Sequence, residues 1–541
     1  MRKFSYISFL MGFLFTGVSV LAQNDKGIEA FYSEMYPTSK QFFLRQLADS
    51  AEKPEACYYL GEIYRLTNYK DSAMCYFESG AQGDNPNPLC LIGKAGMIMY
   101  NNSSLSVDLI NKARWNEVYR EKAILYIALA RAYADNKKFQ TAYEMLDLAR
   151  SFEPANVLIA LNEGDILLQQ IKPGPAASKF EAAIAKDSLC KPAYLKLAQI
   201  YHTAKNNELS MKYLSKLMAF DAKFPPALKL YGDICYEQGK YAGTVSAYKE
   251  YLGTSEADLK DQIRYAYALF FNKDYQQAGS LIPELIQYYP RNQVLKRLLA
   301  YSLYEMGNYD EGLRQMDSFL RSVDASIVVP SDYKYYARLL GKNNQDSLSI
   351  VYYKKAAVLS TTPQEYYKEM ASVYEKMNQF GNAASFMEKY IAESKNPLTT
   401  DYLLWGRDCY LQACAIDSLS LPIDSTRAGA RLMLYQKADS VFEKLASLTP
   451  DNYLGYLWRA RVNAVLDPET NNGLAKSYYE KVMELLEKSG NNKKELIESY
   501  QYLGYFYFVG EDFQKSKAFW KKILAIDPSN EVALKAMDGI K

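Results

Sequence analysis

The chain has 541 residues, 49% of them hydrophobic and 23% charged, a globular composition that excludes wholesale disorder. Its formal net charge is +2, and without Arg2 and Lys3 the basic and acidic residues balance at 62 each. Binding to nucleic-acid phosphates draws on a basic surplus, which this chain lacks.

Residues 1–22 read as a secretory signal peptide. Arg2 and Lys3 form a basic start, Phe4 to Val18 is mostly apolar, and Val20-Leu21-Ala22 offers a small-residue cleavage site before Gln23. The apolar run is short for a membrane anchor. No cysteine precedes Cys57, so no lipid-anchoring motif follows the signal. The expected location is the periplasm, without a lipid anchor and without a transmembrane segment after cleavage.

From Leu125 to Arg321 one pattern recurs every 34 positions. A small residue stands at Ala130, Gly164, Ala198, Gly232, Ala266 and Ala300. Twelve positions later come Ala142, Ala176, Ser210, Thr244, Ala278 and Gly312. Four beyond those come the large residues Leu146, Phe180, Leu214, Tyr248, Ile282 and Met316. A fixed period of this length, built from two helical patterns, is the signature of stacked repeats. Small residues let two helices approach closely, and large ones fill the groove beside them.

These landmarks resemble the tetratricopeptide repeat, a 34-residue helix–turn–helix unit. The resemblance is carried by large residues just before the small one (Leu129, Leu197, Tyr231, Tyr265, Leu299) and three after it (Tyr133, Leu167, Tyr201, Cys235, Leu269, Leu303). Pro154, Pro290, Pro450 and Pro528 close second helices, and Asn156 and Asn530 are placed to cap the helices that follow. The resemblance implies an all-α fold: an α-solenoid of about thirteen helix–turn–helix repeats forming a right-handed superhelix.

In chain order, residues 23–115 are expected to hold N-terminal helices and degenerate repeats, including a strong copy around Gly61, Ala73 and Phe77 and a weak one from Asn87 to Arg114. Residues 116–395 form the regular array. Residues 396–541 form a C-terminal block with a loop inserted at 416–429, a smaller insertion near Asp467–Gly473, and a capping helix from Asn530. The spacing is softest between Ala392 and Thr400.

Catalytic chemistry finds little support. His202 is the only histidine, and no GxSxG, HExxH, phosphate-cradling loop or dinucleotide fingerprint occurs. The seven cysteines show no CxxC or Cys/His clustering, so no metal site is expected. Cys57, Cys235 and Cys409 fall where the repeat wants a buried residue of medium size. The reading is of a non-enzymatic protein with no cofactor.

In tetratricopeptide repeat proteins the inner face of the first helices commonly holds an extended peptide. Carried over, that places Lys229, Tyr236, Tyr267, Phe270, Phe271, Arg297, Tyr301, Tyr304, Lys334, Arg338 and Lys368 on a partner-binding groove. Aromatic rings beside cations suit a peptide with apolar side chains and acidic groups or a free carboxylate. The alternative is that the rings pack between neighbouring helices and the cations form a solvated face. The asparagines that pair with lysine in carboxylate-clamping members are missing. The expected function is an exported scaffold or adaptor for protein or peptide partners in the bacterial envelope. The alternative is glycan binding in outer-membrane nutrient uptake, against which stand the missing lipid anchor and only four tryptophans. The oligomeric state is left open.

Overall fold

The computed structural model describes residues 24–47, 53–417, 425–489 and 492–540. The expected signal peptide lies outside these residues. Within them there are twenty-nine α-helices, one short 3-10 turn and no strand. The chain divides into two compact units, one ending at Pro290 and one beginning at Arg291.

The first unit opens with two short helices, α1 (Asn24–Tyr32) and α2 (Tyr36–Gln46). Seven helix pairs follow, from Lys53–Leu66 with Lys70–Gly80 through to Leu259–Phe271 with Tyr275–Tyr288. The second unit has six pairs, beginning with Gln293–Glu305 and Tyr309–Ser322, and ends on the single helix Glu531–Gly539. Thirteen pairs in all make the expected α-solenoid.

The ladder of small and large residues has a direct steric cause. All eighteen of its rungs between Ala130 and Met316 are buried. A Cβ placed on Gly164 would stand 2.6 Å from the Phe180 ring, and one on Gly232 would stand 2.6 Å from Tyr248. The same clash recurs at Gly61 with Phe77, Gly406 with Phe442 and Gly504 with Trp520. The second helix thus drives its large residue against the bare backbone of the first.

Where the second small residue carries a hydroxyl, it also ties the two helices together. Ser210 Oγ donates to the Ala198 carbonyl at 2.8 Å, Thr244 Oγ1 to Gly232 at 3.1 Å, Ser349 Oγ to Ala337 at 2.7 Å and Ser516 Oγ to Gly504 at 2.8 Å. Each spans twelve residues, which explains the fixed offset. The hydroxyl is buried with its partner supplied.

The turn inside each pair has its own rule. Lys137, Ile171, Lys205, Gly239, Lys273 and Gly307 all adopt positive φ, again at intervals of 34. This left-handed residue ends each first helix so that the chain can reverse. The caps expected at Asn156 and Asn530 are present, accepting from the Leu158 and Ala533 amides at 3.0 and 3.1 Å.

One expectation is corrected. The segment 416–429 is not all loop: the helix Thr399–Asp417 takes in its start and the helix Ser425–Leu448 its end. Both helices are longer than their counterparts, at 19 and 24 residues, so part of the extra sequence extends helices. Residues 418–424 lie outside the described residues. The soft region at Ala392–Thr400 falls between the helices Phe380–Glu393 and Thr399–Asp417, inside the second unit.

Candidate functional site

Within each unit, several first helices of successive pairs touch one another, as Pro88–Ile98 does Ala123–Asp135, Ala123–Asp135 does Val157–Gln169, and Gln293–Glu305 does Pro330–Lys342. Second helices make no comparable contacts with each other among the described residues. A stack packed more closely along one row of helices curves towards that row. The first helices therefore form the inner face.

In the first unit part of this face is already covered. The α1–α2 hairpin, pinned by Ser39 Oγ donating to the Gly27 carbonyl at 2.9 Å, lies across the first helices of several repeats. Phe31 packs edge-on to Tyr59 with ring centroids 5.5 Å apart, and Phe43 stacks on Tyr59 at 4.7 Å. The Arg131 guanidinium sits over Phe31 at 4.7 Å and Tyr32 at 5.6 Å. Asn162 Nδ2 donates to the Tyr32 hydroxyl at 3.1 Å. Further along, Lys191 Nζ reaches Glu29 at 3.0 Å and Lys196 Nζ reaches Glu34 at 2.6 Å. Thr38 meets the loop before Leu259, its amide donating to Glu256 at 3.0 Å.

Beside this contact lies a cavity of about 250 Å³ lined by Tyr32, Glu34, Arg131, Asp135, Asp165 and Lys196, among others. Its charges are tightly organised. Behind its wall, burial alone pushes the Glu62 carboxyl up, but the cavity-lining Arg65 and Arg131, at 2.9 and 3.0 Å, overcome it and hold the group at about 2. Burial likewise opposes the ionised Glu34, and Lys196 more than offsets it, so its carboxyl stays below the usual range. Burial disfavours the Lys196 ammonium, yet Asp165 and Glu34 raise its pKa above the ordinary lysine value. For these three groups opposite charge outweighs dehydration and favours the ionised form, whereas burial raises the Asp135 carboxyl in spite of Arg65.

The residues expected on the groove divide between the units. In the first, Lys229 pairs with Asp261 at 2.5 Å and lies over Tyr251. Tyr236 packs on Tyr241 and Phe271, with Arg264 above it, and Phe270 packs on Tyr275. Tyr267 is half-buried. In the second, Arg297 pairs with Asp332 at 3.1 Å, and the Tyr301 hydroxyl donates to the same carboxylate at 2.6 Å. Tyr301 also stacks on Tyr335 with centroids 3.9 Å apart. Arg338 bonds Glu369 and faces Tyr304, Lys334 lies over Tyr366, and Lys368 pairs with Asp401 at 2.6 Å.

These cations obey one pattern. Each of Lys229, Arg297, Arg338 and Lys368 on a first helix reaches an acidic residue 31 to 35 positions on, in the first helix of the following repeat. The inner face is thus laced by ion pairs between repeats, a signal readable in sequence as basic and acidic residues about one period apart. Rings and cations do come together there, but with their charges engaged within the chain.

No protein-family model matches the sequence, and none of the curated proteins does. Among solved structures, the C-terminal part of a TPR repeat-containing protein from Cytophaga hutchinsonii is 34% identical, covering 51% of this chain and 99% of its own, with a TM-score of 0.42. The chain belongs to the tetratricopeptide repeat family. A tetratricopeptide repeat protein from Parabacteroides merdae is 17% identical, covering 46% of this chain and 98% of its own, with a TM-score of 0.29. PilF of Pseudomonas aeruginosa is 15% identical over 45% of this chain and 94% of its own, with a TM-score of 0.31.

In this tetratricopeptide repeat protein the buried landmarks account for the other residues singled out in the sequence. Cys57, Cys235 and Cys409 are buried, as their places in the repeats led one to expect. His202 is half-buried, its Nδ1 3.2 Å from the Asn207 side chain and its Nε2 3.6 Å from Glu237. Among the described residues no group of histidine, cysteine and acidic side chains is arranged to hold a metal ion. The hairpin on the inner face was not foreseen. Its polar partners Asn162, Lys191, Lys196 and Gln199 lie 130 to 165 residues away and carry no local sequence mark.

Proposed function

We propose that this tetratricopeptide repeat protein is an exported, non-enzymatic scaffold that binds protein or peptide partners in the bacterial envelope through the inner face of its repeats. One observation carries the reading: the first-helix face of the first unit holds a peptide segment, α1 with the turn after it, through aromatic rings and acidic side chains. A face that accommodates a helix of its own chain has the depth and chemistry to accommodate one from another. The basic, apolar and small-residue pattern of residues 1–22 supports export, and no helix among the described residues is long and apolar enough to cross a membrane.

Affinity capture from envelope extract tests the proposal. A discrete protein retained by the full chain, and competed by added soluble chain, is expected. Retention on a polysaccharide column without any such protein would favour the glycan reading instead.

A further inference from the structure

The α1 segment shows what the inner face of the first unit recognises. It offers two adjacent aromatic residues, Phe31 and Tyr32, with Glu29 before them and Glu34 after. The repeats answer with Tyr59 and Arg131 for the rings, Asn162 for the hydroxyl, and Lys191 and Lys196 for the carboxylates. Phe31 and Tyr32 are only 4% and 6% exposed, so they are the anchors of the contact.

The fit is incomplete. The cavity of about 250 Å³ remains between the segment and the repeats, beside Tyr32, Arg131 and Lys196. The helix itself has nine residues. Helices shorter than about 12–15 residues do not hold their form alone in water, so α1 exists as a helix by virtue of its seat. Its absence would remove Glu29 from Lys191, Glu34 from Lys196 and two rings from Arg131, leaving each cation one acidic partner within the repeats, Asp221, Asp165 and Glu62. A partner with the same groups would restore those contacts.

We infer that α1 with the turn after it is a displaceable self-ligand, and that the inner face of the first unit takes a partner helix ending in paired aromatic residues, with one acidic residue on the helix before them and one in the turn after. The inference rests on the reading of this face as the binding surface. Its test needs no outside partner, so the two ideas fail separately. The bound α1 lowers the apparent affinity of any competitor by the fraction of chains in which it is seated. A partner that also fills the cavity gains contacts that α1 does not make.

The test uses a labelled synthetic peptide of residues 24–46 titrated into the full chain. The comparison is between the wild type, a Glu29→Lys/Glu34→Lys variant that repels α1 from its seat, and a Lys191→Glu/Lys196→Glu variant that spoils the seat. The Glu29→Lys/Glu34→Lys chain is expected to bind the peptide at least about tenfold more tightly than the wild type. The Lys191→Glu/Lys196→Glu chain is expected to reject that peptide and accept one carrying the reversed charges Glu29→Lys and Glu34→Lys. This charge-swap rescue holds the proposal open to refutation even where one variant loses stability. Equal affinity for the wild type and the first variant, with helical circular dichroism intact in both, would overturn it. So would self-association of that variant by light scattering, which would make the seat an exchange site for a second copy.

Discussion

A Cβ on Gly164 would stand 2.6 Å from the ring of Phe180, sixteen residues ahead on the partner helix. Phe180 is fully buried, so its ring can move aside only by displacing its neighbours. Gly164→Ala should therefore destabilise its repeat by about 1–3 kcal/mol, although alanine is the better helix former by about 1 kcal/mol. Hydrogen exchange over residues 157–186 measures it, because repeats open locally. Unchanged or slower exchange would mean that the helices do not pack as closely as described.

The opposite sign is expected at Ile171. It holds φ 60° at the turn inside its pair and is 88% exposed, so its side chain supplies little packing to offset the strain. A β-branched residue in the left-handed region costs about 1–2 kcal/mol, and Gly239 and Gly307 fill the same position elsewhere. Ile171→Gly should stabilise the repeat by about 1 kcal/mol after the greater freedom of glycine in the unfolded chain is subtracted. The thermal midpoint should rise, and a fall would show that the exposed side chain has a partner.

The fold was legible because its determinants are local and repeated. Gly164 and Phe180, or Ser210 and Ala198, sit at fixed short offsets that one chain displays many times over. The turn position was equally periodic but went unread, since lysine and isoleucine do not announce positive φ as glycine does. Surface roles were harder. Arg297 and Lys368 look like free groove cations until Asp332 and Asp401 are seen one repeat on. The α1 contact joins Glu34 to Lys196, which no spacing rule connects.

Asp408 gives a pH-dependent prediction. Burial first, then the neighbouring Glu375 carboxyl, pushes its pKa from the ordinary 3.8 up to about 8, against a smaller opposing effect of Arg407. The folded chain thus keeps a proton that the unfolded chain releases near 3.8. That contribution is fully present below about pH 4 and is lost as pH rises towards 8. Asp408→Asn should match the wild type in thermal midpoint at pH 4 and exceed it at pH 9. A constant difference across that range would show that Asp408 is ionised throughout.

The Arg297–Asp332 pair tests the ion-pair lacing in the second unit. Both side chains are largely buried, at 15% and 0% exposure. Arg297→Met would leave the carboxylate with only the Tyr301 hydroxyl and the Val329 amide, at 2.6 and 2.8 Å. Removing one partner of a buried pair costs about 3–5 kcal/mol, whereas removing both charges costs much less. Denaturant unfolding should show a large loss for Arg297→Met and a partial recovery for Arg297→Met/Asp332→Asn. Additive losses would mean that the two groups do not depend on each other.

The most direct test of the inner face as the working surface is site-specific photo-crosslinking in living cells. A photoreactive residue replaces Tyr267 or Tyr304 on first helices, or the exposed Glu144 on the second helix Phe139–Phe152. Discrete protein adducts are expected from Tyr267 and Tyr304 and not from Glu144. Adducts from Glu144 alone would contradict this and move the binding surface to the outer face.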